Sequence, residues 1–158
     1  AAAGGAEARV AVATAICLEG IYPRFVSGFV DRGAKLLVIL TNDAWYDGTT
    51  EPYQHERIAV LRAIEHRISV VRAANSGISS VLDPWGRAIA SSENGVQAVV
   101  EAAVETGTER TFYSRTGDWL PVGVSALAAL LALFLVLEPR LRRRRHSEDG
   151  SSSDAASD

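Results

Sequence analysis

The chain has 158 residues, 47% of them apolar, and a formal net charge of −3. That length supports one domain with a sizeable core, and the acidic balance argues against a general nucleic-acid binder. Cys17 is the only cysteine, which excludes an internal disulfide and leaves the redox compartment open.

Residues 9–16 form an apolar, β-branched run that reads as a strand and ends at Cys17. Leu18, Glu19 and Gly20 follow, then a turn signal at Tyr22 and Pro23. Residues 23–31 can form a short helix ended by Gly33. Residues 36–40, Leu-Leu-Val-Ile-Leu, are apolar on both faces and read as a buried strand. Residues 41–48 form a polar, turn-rich loop. Residues 52–67 give the clearest helix signal, with Ile58, Leu61, Ile64 and Ile68 at helical spacing and Pro52 suited to the first turn. His55, Arg62 and His66 share the opposite face, where solvation is the expectation, and Arg62 and Glu65 are placed to form a structural ion pair. Residues 69–73 and 78–82 read as strands around a tight turn at Asn75-Ser76-Gly77. Asp83-Pro84-Trp85-Gly86 is a hairpin-type turn, and residues 96–104 read as a last strand. Strands alternating with helices favour a layered α/β domain.

Residues 120–137 carry no charge. As a helix they extend roughly 27 Å, close to the hydrocarbon thickness of a bilayer. Trp119 sits where an interfacial aromatic belongs, and Arg140, Arg142, Arg143, Arg144 and Arg145 follow the run directly. The arrangement reads as a transmembrane helix with the basic end on the cytoplasmic side and the α/β domain on the other. The expected organisation is therefore an α/β region over residues 1–118, a span over 119–138, and a basic, then Ser/Asp-rich, disordered tail over 139–158. The chain has no methionine and opens on Ala-Ala-Ala-Gly-Gly-Ala, which lacks the pattern of a signal peptide. The expectation is a piece of a longer protein.

A lone thiol at a strand-to-turn junction can be a covalent nucleophile or a small buried hydrophobe. A nucleophile needs a base and an oxyanion donor. The backbone N–H of Leu18 is the natural donor at a strand end. Glu19 can act as a supporting carboxylate, although a bare carboxylate raises a thiol's pKa. His55, His66 and Lys35 are candidate partners with no fixed relation to Cys17. Asn42, Asp43 and Trp45 lie on a loop after a buried strand, a place that often lines an α/β site. No Cys/His cluster has metal-ligand spacing and no glycine pattern suggests a phosphate loop, so no metal or cofactor is expected.

Ile16-Cys17-Leu18-Glu19, Gly33-Ala34 and Thr41-Asn42-Asp43-Ala44-Trp45-Tyr46 resemble the nitrilase superfamily, and more closely its membrane branch, the apolipoprotein N-acyltransferases. Pro52, Gln54-His55, Arg62-Ala63, Glu65, Arg72-Ala73, Asn75, Gly77-Ile78 and Asp83…Gly86 continue the pattern in order, as does Arg115-Thr116-Gly117-Asp118-Trp119 before the apolar run. The resemblance implies part of an αββα sandwich followed by one C-terminal transmembrane helix. It also implies a Glu-Lys-Cys triad in which Cys17 is the nucleophile and the glutamate and lysine lie upstream. Glu19 matches a carboxylate that this branch carries just after the nucleophile; Leu18 stands where the branch usually has an aromatic residue. The implied partners are a phospholipid acyl donor, a diacylglyceryl-modified apolipoprotein acceptor and the bacterial cytoplasmic membrane, with several further spans upstream.

Overall fold

The computed structural model describes residues 9–107 and 109–153, with side chains described as far as residue 139. Two compact units divide the chain, one through Gly117 and one from Asp118. The first holds five strands, β1 (Val12–Ile16), β2 (Leu36–Thr41), β3 (Ser69–Ala74), β4 (Ser80–Leu82) and β5 (Ala88–Ser91). Its helices are α1 (Pro23–Asp31), α2 (Glu51–His66) and the short α3 (Phe112–Thr116), with 3-10 segments at Cys17–Ile21 and Asp43–Tyr46. The strands form one sheet in the order β1-β2-β3-β4-β5. β1, β2 and β3 run parallel; β4 runs antiparallel to β3, and β5 antiparallel to β4.

The alternation of β1 decides which face is covered. Ala13 and Ala15 point into the core with Leu37, Ile39, Val70 and Leu82, against Val26 of α1 and Ala59 and Ala63 of α2. Val12 and Ile16, on the other face, are both 53% exposed, and Leu40 is 43% exposed. β2 is apolar on both faces, as a strand covered on both sides would be. Among the described residues of this unit, helices cover one face only, which is half of a layered sandwich.

α2 packs in the opposite sense to the one its periodicity suggests. Its buried stripe is Pro52, His55, Ala59, Arg62, Ala63 and His66. Leu61 and Ile64 are exposed. Both stripes have helical spacing, so the period alone could not choose between them. Small residues at Ala59 and Ala63 let the helix approach the sheet closely, and His55 and Arg62 find partners in Asp43 and Glu65. The outer stripe is partly used: at Gly86, where φ is +80°, a Cβ would come within 2.8 Å of Ile64, so the hairpin turn lies against α2.

Two strand expectations change. Residues 96–104 form no strand, and Val99 is almost fully exposed. The fifth strand is Ala88–Ser91 instead. Apart from Ile89 its residues have little β propensity; the Asp83–Gly86 turn imposes the pairing, with the Asp83 carboxylate accepting from the N–H groups of Trp85 and Arg87, both at 2.9 Å.

In the second unit, α4 runs from Trp119 to Ser153. Its stretch Trp119–Pro139, 21 residues, is long and apolar enough to cross a membrane. The helix continues through the arginine-rich residues that were expected to begin an irregular tail, consistent with the good helix propensity of arginine. Residues 154–158 lie outside the described residues.

Candidate active site

The three parallel strands bring three loops to one edge of the sheet. Ile16 pairs with Leu40, so Cys17 leaves β1 beside the point where Thr41 and Asn42 leave β2. Thr41 pairs with Ala74, which puts Asn75 on the far side of β2 at the same edge. Ligands of open α/β sheets gather outside the carboxyl ends of such strands.

Cys17 is the first residue after β1 and begins the 3-10 segment. Its φ is +50°, in the left-handed region, one of two such non-glycine residues among those described. An L residue in that region costs of order 1–3 kcal/mol and persists where the surroundings impose it. The sharp reversal lifts the thiol off the end of the strand, in the manner of a nucleophile on a strand-to-helix elbow. Glu19 helps impose it: the Ile16 N–H donates to Glu19 Oε2 at 2.7 Å. Because the strand stops at Ile16, Glu19 does not lie on a continued strand beside the thiol; its carboxylate closes the turn that carries it. Gly20 is buried against Ile39, whose side chain would stand 3.2 Å from a Cβ there. The Leu18 N–H falls in the first turn of a helical segment, where backbone donors have no intrahelical partner.

The loop after β2 is organised by Asn42 and Asp43. Asn42 caps its 3-10 turn by accepting from the Ala44 N–H at 3.2 Å, and the Asn75 amide donates to the same oxygen at 3.1 Å. The Asn75 N–H also donates to the Thr41 carbonyl at 3.0 Å. Asn42 is exposed at the edge, and Trp45 is 82% exposed. Asp43 is buried beneath them. Thr41 Oγ1 donates to Asp43 Oδ1 at 2.9 Å, His55 Nδ1 lies 3.2 Å from the same oxygen, and Arg72 donates to Oδ2. Burial by itself would raise the Asp43 carboxyl pKa; the Arg72 hydrogen bond and charge, the Thr41 hydroxyl and the charge of His55 outweigh it and hold the group below its usual value.

None of the candidate bases meets the thiol. Lys35 and His66 belong to the opposite edge, at the start of β2 and the end of α2. His55 is engaged by Asp43. Among the described residues, no hydrogen bond or ion pair joins Cys17 to a basic group. Asp43, Glu51 and His55 do bring ligand atoms within 4.8 Å of one another, but the Arg72 guanidinium already stands where a cation at Asp43 would. The Arg62–Glu65 pair forms as the spacing predicts, Nε to Oε2 at 3.2 Å. The feature that sequence reasoning missed is the Asp43–Arg72 pair, which spans 29 residues and leaves no local signal.

Residues 3–113 match the carbon–nitrogen hydrolase family. An apolipoprotein N-acyltransferase of Geobacter metallireducens is 41% identical over 120 residues, covering 74% of this chain and 23% of its own length. One of Bradyrhizobium diazoefficiens is 44% identical over 118 residues, covering 75% of this chain and 22% of its own length. The chain thus spans less than a quarter of the length of these curated relatives. Among solved structures, a carbon–nitrogen hydrolase of Helicobacter pylori superposes with a TM-score of 0.52 at 15% identity, over 59% of this chain and 39% of its own. An amidase of Nesterenkonia, with acrylamide added at its active-site cysteine, gives 0.50 at 18% identity, over 68% of this chain and 42% of its own.

Proposed function

From the premise that this chain belongs to the carbon–nitrogen hydrolase family, with relatives named apolipoprotein N-acyltransferase, we propose that it carries the nucleophile of a lipoprotein N-acyltransferase. The observation that carries the reading is Cys17, held in a left-handed conformation at the carboxyl edge of three parallel strands in a chain that also contains a membrane-length apolar helix.

The chemistry is ping-pong acyl transfer. The Cys17 thiolate attacks the carbonyl of a phospholipid acyl ester; the C–O bond breaks, and lyso-phospholipid leaves with the proton the thiol gave up. The thioester retains acyl-transfer potential. The α-amine of a diacylglyceryl-cysteine then attacks it, an amide forms, and the amine's proton returns to the sulfur. The Leu18 N–H lies on the turn that would donate to the tetrahedral oxyanion in both halves. Glu19 shapes that turn. The general base and a lysine come from sequence upstream of residue 1, so the chain alone is expected to be inactive. The open face of the sheet, with Val12, Ile16 and Leu40, is where the second sheet of the sandwich would pack.

Topology follows from the arginine cluster. Arg140 to Arg145 stay cytoplasmic, residues 9–117 lie on the other face of the bacterial cytoplasmic membrane, and further spans lie upstream. An amidase acting on a small C–N substrate uses the same fold, but it gives the helix Trp119–Pro139 no role. The test is made in cells whose own N-acyltransferase is depleted. The full-length protein restores N-acylated lipoprotein termini by mass spectrometry, and Cys17→Ala does not. Restoration by Cys17→Ala sinks the reading.

A further inference from the structure

The carboxyl edge of the sheet rests on a buried ion pair for which the chemistry above has no use. Asp43 is 1% exposed, and the Arg72 side chain is fully enclosed. Burying an ion pair is a weak way to stabilise a fold, because desolvation offsets most of the attraction. What this pair does do is join three segments. Asp43 belongs to the turn after β2. His55 brings in the first turns of α2, with Glu51 Oε1 3.6 Å from its Nδ1. Arg72, from β3, donates both to Asp43 and to the Ile78 carbonyl of the β3–β4 loop. Gly77 of that loop lies so close that a Cβ there would overlap Asp43 Oδ2. The two asparagines that meet at the edge are attached to these same loops. Asn42 precedes Asp43, Asn75 stands two residues before Gly77, and their side chains are joined at 3.1 Å.

We propose that Asp43 and Arg72 are positioning residues for acyl transfer: they fix the Asn42–Asn75 amide pair as the polar wall of the site beside Cys17. The inference rests on the reading of Cys17 as the acyl carrier. It assigns the pair no contact with substrate. Its effect travels through Asn42, whose place beside the thiol is set by the Ile16–Leu40 register on one side and by the buried carboxylate one residue later on the other.

A double-variant cycle on the full-length protein tests it. Wild type, Asp43→Asn, Asn42→Ala and the pair of changes together are compared for thioester formation on Cys17 in a single turnover, with KM for a phosphatidylethanolamine donor and alkylation of Cys17 by iodoacetamide. Positioning through Asn42 predicts that Asp43→Asn slows acylation at least tenfold with KM within twofold of wild type and alkylation unchanged. It also predicts that the double variant is no slower than the slower single one, since residues acting as a unit are not additive. Multiplicative losses in the double variant, or wild-type acylation by Asp43→Asn, overturn the proposal. Should Asp43→Asn fail to fold, Arg72→Lys replaces it in the cycle, because it keeps the charge but cannot reach both Asp43 and the Ile78 carbonyl. A wild-type protein that forms no thioester on Cys17 removes the reading of Cys17 as well. A wild type that forms it, with multiplicative losses, removes only the positioning role.

Discussion

His66 gives a quantitative prediction about pH. Its side chain is 1% exposed, and neither ring nitrogen has a hydrogen-bond partner among the described residues. The ring meets Tyr113 edge-on, with centroids 5.9 Å apart. Burial, and next the charge of Arg62, lower its pKa from 6.5 to about 4, with a small opposing pull from Asp31. The folded chain therefore refuses a proton that the unfolded chain accepts below pH 6.5. Stability is fully present above 6.5 and falls as the pH drops toward 4. A shift of this size corresponds to about 3 kcal/mol in all, with about 2 kcal/mol lost by pH 5. That is a large part of the few kcal/mol by which a small domain is stable. Urea unfolding of the chain in detergent, followed by near-ultraviolet circular dichroism between pH 8 and 5, measures it against His66→Leu. The wild type is expected to lose about 2 kcal/mol more than the variant over that interval. Parallel losses in the two proteins would refute a neutral, buried His66.

Two substitutions probe the edge of the sheet. If the left-handed φ of Cys17 is imposed strain, Cys17→Gly is more stable than Cys17→Ala by about 1 kcal/mol in the same unfolding assay; equal stability, or a more stable alanine variant, argues against a strained elbow. Gly77→Ala must displace the Asp43 carboxylate from its partners and is expected to cost about 2 kcal/mol or more, read as a lowered urea midpoint at unchanged slope. A midpoint at the wild-type value would mean that the loop gives way without disturbing the ion pair.

Much of this architecture was legible in the sequence. The strand ending at Cys17, the short helix from Pro23, the apolar β2 and the long α2 all stand close to where pattern and punctuation put them, because each is a local signal of period and turn chemistry. Three things were not legible. The faces of α2 could not be ranked, since the winning stripe holds His55 and Arg62, whose partners only the fold supplies, and His66, which is buried with no hydrogen-bond partner among the described residues. β5 was invisible because Ala88–Ser91 is four residues long with Ile89 as its one strong β former, while residues 96–104 have the composition of a strand but no ladder to join. At the site, the junction position of Cys17 was readable, but its left-handed backbone was not. Asp43 was singled out as a site residue, and its burial under the edge with Arg72 is a long-range contact beyond the reach of any spacing rule.

The most direct measurement is the chemistry of Cys17 itself. Full-length protein is incubated with a phospholipid carrying a labelled acyl chain, then digested and mapped by mass spectrometry. An acyl-carrying Cys17 predicts label on the peptide that contains it, released by neutral hydroxylamine as a thioester requires, and absent from Cys17→Ala. Label that resists hydroxylamine, or that persists in Cys17→Ala, would contradict it.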